Sequence, residues 1–205
     1  MNHWIIKWAV FDYGGVLAEE GFVAGLHAMA EQASLSRDQV FETAREIILS
    51  SGYLVGKASE DDFWKEFKWQ TRIKGNNIQL KNMILSGFVL RPWMLELVVR
   101  LRNQKVKTAI LSDQVNWLDE LNERDNFFGH FDHVFNSFHL GLSKNDPVIF
   151  EKLTKWIKAR PEDIVFIDDH LPHVLRARSR GIHAIHYTDK ESFFQEFSSF
   201  YQDHP

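Results

Sequence analysis

One stretch near the start of the chain, Ile5 to Leu17, narrows the folds open to it more than any other. Ile5-Ile6-Lys7-Trp8-Ala9-Val10-Phe11 is an apolar, partly β-branched run with the character of a buried strand, stopped abruptly by Asp12, Gly14 and Gly15. A carboxylate just past the end of a core strand is held by rigid backbone yet reaches solvent. In open α/β sheets, ligands bind in the crevice beyond the carboxyl ends of the strands. Glycine lets backbone turn sharply and approach a ligand closely. Taken alone, the stretch reads first as an ordinary junction in which Asp12 merely opens a turn.

From Val16 to Arg91 there is no proline, and helical spacing recurs. Phe22, Leu26, Met29, Ala30 and Ala33 mark one helix; Val40, Phe41, Ala44, Ile47 and Ile48 mark a second. Ser59 with Asp62 predicts a capping box opening a third, which carries Phe63, Trp64 and Phe67. A fourth spans Ile78 to Leu85 and stops near Gly87. The spacing predicts a compact all-helical insertion whose aromatic stripe is its own core. Trp64 and Trp69 are expected in that core rather than on a pocket wall.

After Arg91 strands and helices alternate. Pro92 opens a helix through Leu101, and Val106 to Leu111 reads as a strand ended by Ser112-Asp113. A helix from Trp117 to Leu121 and a short strand from His133 to Phe135 follow. Asp146-Pro147 caps a helix through Ile157, and Ile164 to Ile167 is the clearest buried strand, closed by Asp168-Asp169. Pro172 to Arg180, Ile182 to Tyr187 and Phe193 to Phe200 supply a helix, a strand and a terminal helix. The alternation implies right-handed crossovers and a doubly wound, mostly parallel, Rossmann-like α/β sheet.

Composition bounds the chemistry. A formal charge of −4 over 205 residues offers no basic footprint for nucleic acid. Without cysteine, thiolate metal sites and thiol nucleophiles are excluded. The opening apolar run is too short to cross a bilayer and lacks a signal-peptide layout, so a cytoplasmic enzyme or binding protein with no membrane contact is expected. The oligomeric state is left open.

Asp12, Ser112 and Asp168-Asp169 each follow an apolar strand, and Lys144 lies in a loop just before a helix. Such a set suits phosphoryl transfer: a carboxylate nucleophile, a hydroxyl and an ammonium on phosphate oxygens, and acids for a divalent cation such as magnesium.

The ordered series Phe11-Asp12-Tyr13-Gly14-Gly15-Val16-Leu17, Leu111-Ser112-Asp113, Gly141 to Pro147 and Phe166-Ile167-Asp168-Asp169 resembles the haloacid dehalogenase-like hydrolases. It is most similar to the subgroup with a helical cap inserted after the first motif, whose relatives include sugar phosphatases and the phosphatase domain of epoxide hydrolases. The resemblance implies a core of residues 1–16 and 89–205 with a cap of residues 17–88. It makes Asp12 the nucleophile that forms an aspartyl-phosphate, and Ser112, Asp113 and Lys144 the phosphate-binding group, with Lys144 also catalytic in steadying the nucleophile's charge. Magnesium would be held by Asp12, the Gly14 carbonyl, Asp169 and Asp168.

Several positions depart from the family pattern. Gly14 stands where typical phosphatases carry a second Asp, the acid that protonates the leaving oxygen and then activates water, a step worth roughly 10²–10⁴-fold. Asp113, Ser143, Asn145 and His173 replace the usual Asn, Arg, Pro and Asn. An Asp113 carboxylate near phosphate repels it unless paired or protonated. His170 and His173 are candidates for the missing acid, against the plainer reading of polar residues at a helix start. The leading function is a magnesium-dependent phosphatase acting on a small phosphorylated metabolite. The alternative is a catalytically weak or inactive relative that binds a phosphorylated ligand or a protein partner.

Overall fold

The structure, a computed structural model, describes residues 3–202; the two ends of the expected core span, 1–2 and 203–205, lie outside them. Its central sheet has five strands: β2 (Trp8–Phe11), β3 (Lys107–Ser112), β4 (His133–Asn136), β5 (Ile164–Asp168) and β6 (His183–His186). They lie in the order β4-β3-β2-β5-β6, every neighbouring pair parallel. The chain leaves β2 toward one edge, then returns to β2's other side at β5. That reversal opens the crevice at which doubly wound sheets bind ligands. The register aligns the strand ends, with Phe11 opposite both Ile110 and Ile167.

Alternation along the strands explains the two covered faces. Trp8, Val10, Leu111 and Phe166 face one side and pack with α8 (Val148–Trp156) and α9 (Leu171–Arg178). Ala9, Phe11, Ile110 and Ile167 face the other side, toward α5 (Pro92–Asn103), α6 (Trp117–Asp125) and α10 (Lys190–Ser198). A strand with two apolar faces needs helices on both sides of it.

Between β2 and α5 run four helices, α1 (Gly21–Gln32), α2 (Arg37–Ser50), α3 (Glu60–Thr71) and α4 (Asn77–Leu85). The capping box forms as expected: Ser59 Oγ accepts the Asp62 amide at 3.2 Å and Asp62 Oδ2 accepts the Ser59 amide at 3.1 Å. Helices α1 and α4 pack closely because Gly25 has no side chain; a Cβ there would stand 2.4 Å from the Ile84 Cα.

Two linkers join these helices to the sheet and run side by side. The Glu19 amide donates to the Val89 carbonyl and the Arg91 amide to the Leu17 carbonyl, at 2.9 and 2.8 Å. The Arg91 guanidinium ties them further, donating to Glu19 and to the Gly15 and Val16 carbonyls.

Three expectations are corrected. The first central strand is Trp8–Phe11 alone; Ile5 is 40% exposed, and β1 (His3–Trp4) instead pairs antiparallel with β7 (Tyr201–Gln202). The aromatic stripe of α3 is not a closed core of the insertion, since Trp64 stacks on Trp117 of α6 at 5.9 Å. Trp69 belongs to no core, being 63% exposed.

Candidate active site

Asp12 follows β2 directly and stays fastened to the sheet, its amide donating to the Ile167 carbonyl at 2.8 Å. Its Oδ1 accepts the Tyr13 amide at 2.7 Å, so the carboxylate has one fixed orientation. Ser112 ends β3 and Asp168 ends β5, both buried, with Asp169 one residue further on. The aligned register therefore delivers the predicted set to one edge of the sheet.

Lys144 reaches this edge from the loop before α8. Its side chain is fully buried, and its ammonium lies 2.6 Å from Asp12 Oδ2 and 2.6 Å from Asp168 Oδ2. Burial disfavours the ammonium, but the two carboxylates outweigh it and hold the lysine charged, well above its ordinary range. Burial likewise opposes ionisation of Asp168, yet Lys144 and His173 draw it well below the usual carboxylate range. Asp12 goes the other way: burial, with Asp168 and Asp169 nearby, pushes its carboxyl up despite Lys144.

Asp113 lines the cavity, but its carboxylate braces the lysine loop. Its Oδ1 accepts the Lys144 amide at 2.8 Å and the Ser137 hydroxyl at 2.5 Å, and its Oδ2 lies 4.0 Å from His173 Nε2. The Asp113 carboxylate is thus held by two hydrogen bonds. His173 stands in the first turn of α9 as the plainer reading has it, yet it is buried and lines the cavity, with Nδ1 3.3 Å from Asp168 Oδ2. His170 caps α9 from the exposed side, its amide donating to Asp168 Oδ1 at 2.7 Å.

The glycines differ in what they permit. Gly15 has φ +73°, and a Cβ there would lie 1.9 Å from Asp169 Oδ2, so no other residue fits. Gly14 lies outside the left-handed region, but a Cβ there would stand 2.7 Å from Glu20 Oε2 and 3.3 Å from the Phe88 ring. Glu20 Oε1 accepts the Phe22 amide at 3.0 Å and caps α1. Burial and the charge of Asp169 push the Glu20 carboxyl up to about 7, against the Phe22 and Val23 amides that favour its ionised form. Sequence reasoning missed Glu20. The available signal is an acid immediately before a helix that starts with glycine, and it says nothing of a return to Gly14.

A cavity of about 400 Å³ opens over these groups. The strand ends contribute Asp12, Ser112 and Asp169 to its lining, and the helical segment contributes Phe22, Phe41 and Leu54. Oxygens of Asp12, Asp168 and Asp169 lie within 4.8 Å of one another. Three clustered carboxyl groups face the single Lys144 ammonium in a largely buried place, and when all are ionised a divalent cation would neutralise their excess charge. The donors are hard oxygens, as magnesium requires, and Asp169 is the most accessible of the three.

Among the described residues no helix is long and apolar enough to cross a membrane. The model of the haloacid dehalogenase-like hydrolase family matches residues 6–179. A bifunctional epoxide hydrolase 2 of Sus scrofa is 30% identical over 93% of this chain and 38% of its own length. The chain thus spans little more than a third of the length of that relative. A sesquiterpene phosphatase of Aspergillus oryzae is 25% identical over 89% of this chain and 90% of its own length. Among solved structures, a haloacid dehalogenase family enzyme of Bacteroides thetaiotaomicron in complex with magnesium and inorganic phosphate shares the fold. Its TM-score is 0.71 at 21% identity, covering 90% of this chain and 94% of that one.

Proposed function

The chain belongs to the haloacid dehalogenase-like hydrolases, and from that membership we propose that it is a magnesium-dependent phosphatase acting through an aspartyl-phosphate on Asp12. One observation carries the reading: a fixed strand-end carboxylate, 2.6 Å from a fully buried lysine, faces a cavity among further carboxylates.

In this reading an Asp12 oxygen attacks phosphorus and the ester oxygen departs with its bonding pair. The Lys144 ammonium beside Asp12 favours its ionised form against burial, and the Ser112 hydroxyl donates to a phosphoryl oxygen. Asp113 and His173 hold the Lys144 loop and Asp168 in register. Asp12, the Gly14 carbonyl, Asp168 and Asp169 would hold magnesium, which supplies charge neutralisation and polarisation of the phosphoryl group. Preorganised charges of this kind are the main source of catalysis in phosphoryl transfer.

The helical segment, taken as a cap, sets the substrate. Phe22, Val23, Phe41, Ile48 and Leu54 give it an apolar wall, with Arg45 the one lysine or arginine lining the cavity among the described residues. A sugar phosphate would leave its hydroxyls without partners against that wall, whereas the ester of an apolar alcohol would bury its chain there. The sesquiterpene phosphatase among the relatives supports the same substrate class. Gly14 favours the second reading, a weak or inactive relative that binds a phosphorylated ligand. A panel of phosphate esters with and without magnesium decides between them. Metal-dependent phosphate release, faster from prenyl and alkyl phosphates than from hexose phosphates, is expected. Tight binding with no release from any ester would overturn the phosphatase reading.

A further inference from the structure

The acid that typical relatives carry at position 14 has no counterpart in the local sequence, but the space it would fill is occupied. Glu20 Oε2 lies 2.7 Å from the place where a Gly14 Cβ would stand, so a carboxyl group already occupies space that a side chain at position 14 would need. Glu20 lines the same cavity as Asp12 and Asp169. Its Oε1 is pinned by the Phe22 amide at the start of α1, which fixes Oε2 over Gly14. The isolated bridge between Gly14 and Ala18 holds the intervening turn closed and returns the chain to this point.

The geometry points to Glu20 as the catalytic acid and base of this site, delivered from the linker before α1 in place of a residue at position 14. The inference rests on the phosphatase reading above. When Asp12 attacks phosphorus, the departing ester oxygen takes the bonding pair and the proton of the Glu20 carboxylic acid, releasing an alcohol. The resulting Glu20 carboxylate then takes a proton from water as that water's oxygen attacks phosphorus. The Asp12–phosphorus bond breaks, inorganic phosphate forms, and both carboxyl groups return to their starting states. Ester and water are consumed; alcohol and phosphate are produced.

Glu20→Gln separates this role from helix capping, because the amide oxygen still accepts the Phe22 amide but the side chain carries no transferable proton. With magnesium present, kcat/KM for hexyl phosphate is expected to fall roughly 10²–10⁴-fold. For 4-nitrophenyl phosphate, whose leaving group needs no proton, kcat/KM stays within a few-fold of wild type, and a burst of nitrophenol precedes slow turnover. In Glu20→Ser, which clears the space and keeps a capping hydroxyl, adding Gly14→Asp is expected to recover at least ten-fold in hexyl phosphate kcat/KM. Equal losses on both esters, no loss on either, or no recovery in the double variant would overturn the role of Glu20 while leaving Asp12 as nucleophile. Wild-type protein that released phosphate from neither ester would overturn the phosphatase reading and this inference together.

Discussion

A lysine with no exposed surface persists here because two carboxylates meet its ammonium at 2.6 Å. Buried charges are tolerated only when paired, and this pairing also orients Asp12. Asp169 stands apart from it: the lysine's two short contacts go to its neighbours, and its oxygens remain available at the edge of the cavity. Gly15 keeps a place for it that any side chain would close. Asp169→Ala is therefore expected to weaken magnesium binding by at least ten-fold in a calorimetric titration of the metal alone, with the fold unchanged. Equal affinities in the two proteins would remove Asp169 from the metal site. Asp12, Ser112 and the Asp168-Asp169 pair are legible in the sequence because each closes an apolar run. The burial of Lys144 is not, since a loop lysine between Ser143 and Asn145 carries no local sign of it. Glu20 is illegible for a related reason. Its place over Gly14 depends on the path of a turn, which no periodicity encodes.

Each strand matters as a lever that sets the height of its terminal side chain. The start of β5 is fastened by Asp163, which accepts two bonds from the Arg160 guanidinium at 3.0 Å each and one from Lys7 at 3.2 Å. The Arg160 bonds, with help from Lys7, outweigh partial burial and bring the Asp163 carboxyl down to about 2. A carboxyl whose pKa is lowered on folding stabilises the fold above its unfolded pKa, roughly 4, and loses that effect as pH falls through its folded value. The urea midpoint of Asp163→Asn should accordingly lie below that of wild type at pH 6, with the gap closing toward pH 2. A gap that stayed constant across that range would exclude the ion pairs as its source. At this scale the sequence was informative about type and less so about extent. Periodicity and caps identify the longer helices from α1 onward but not the one-turn helix Ser137–Leu140, and Ile5 and Ile6 extend the expected first strand beyond Trp8–Phe11. Hydrophobicity could not distinguish a sheet strand from the segment following the β1–β7 pair.

Across the whole molecule, the parallel sheet supplies fixed charge and the helical segment supplies the apolar wall above it. The two meet through more than the linkers. Trp64 stacks on Trp117, and Lys81 of α4 joins Glu60 of α3 to Glu120 of α6 at 3.3 and 2.8 Å. Periodicity reveals that α3 has an aromatic face but not which surface will cover it, so the expectation of a self-contained helical core missed this junction. The alternation of strands and helices, by contrast, is enough to anticipate the doubly wound sheet, and the acids that close its strands mark the edge at which its charges gather. The phosphoryl transfer proposed at this edge runs through Asp12. Its most direct test is phosphate release from 4-nitrophenyl phosphate, with magnesium, by wild type and by a folded Asp12→Asn variant. Release by wild type and none above background by the variant are expected, because removing a covalent nucleophile closes the pathway rather than slowing one step. A variant that kept the wild-type rate would contradict it.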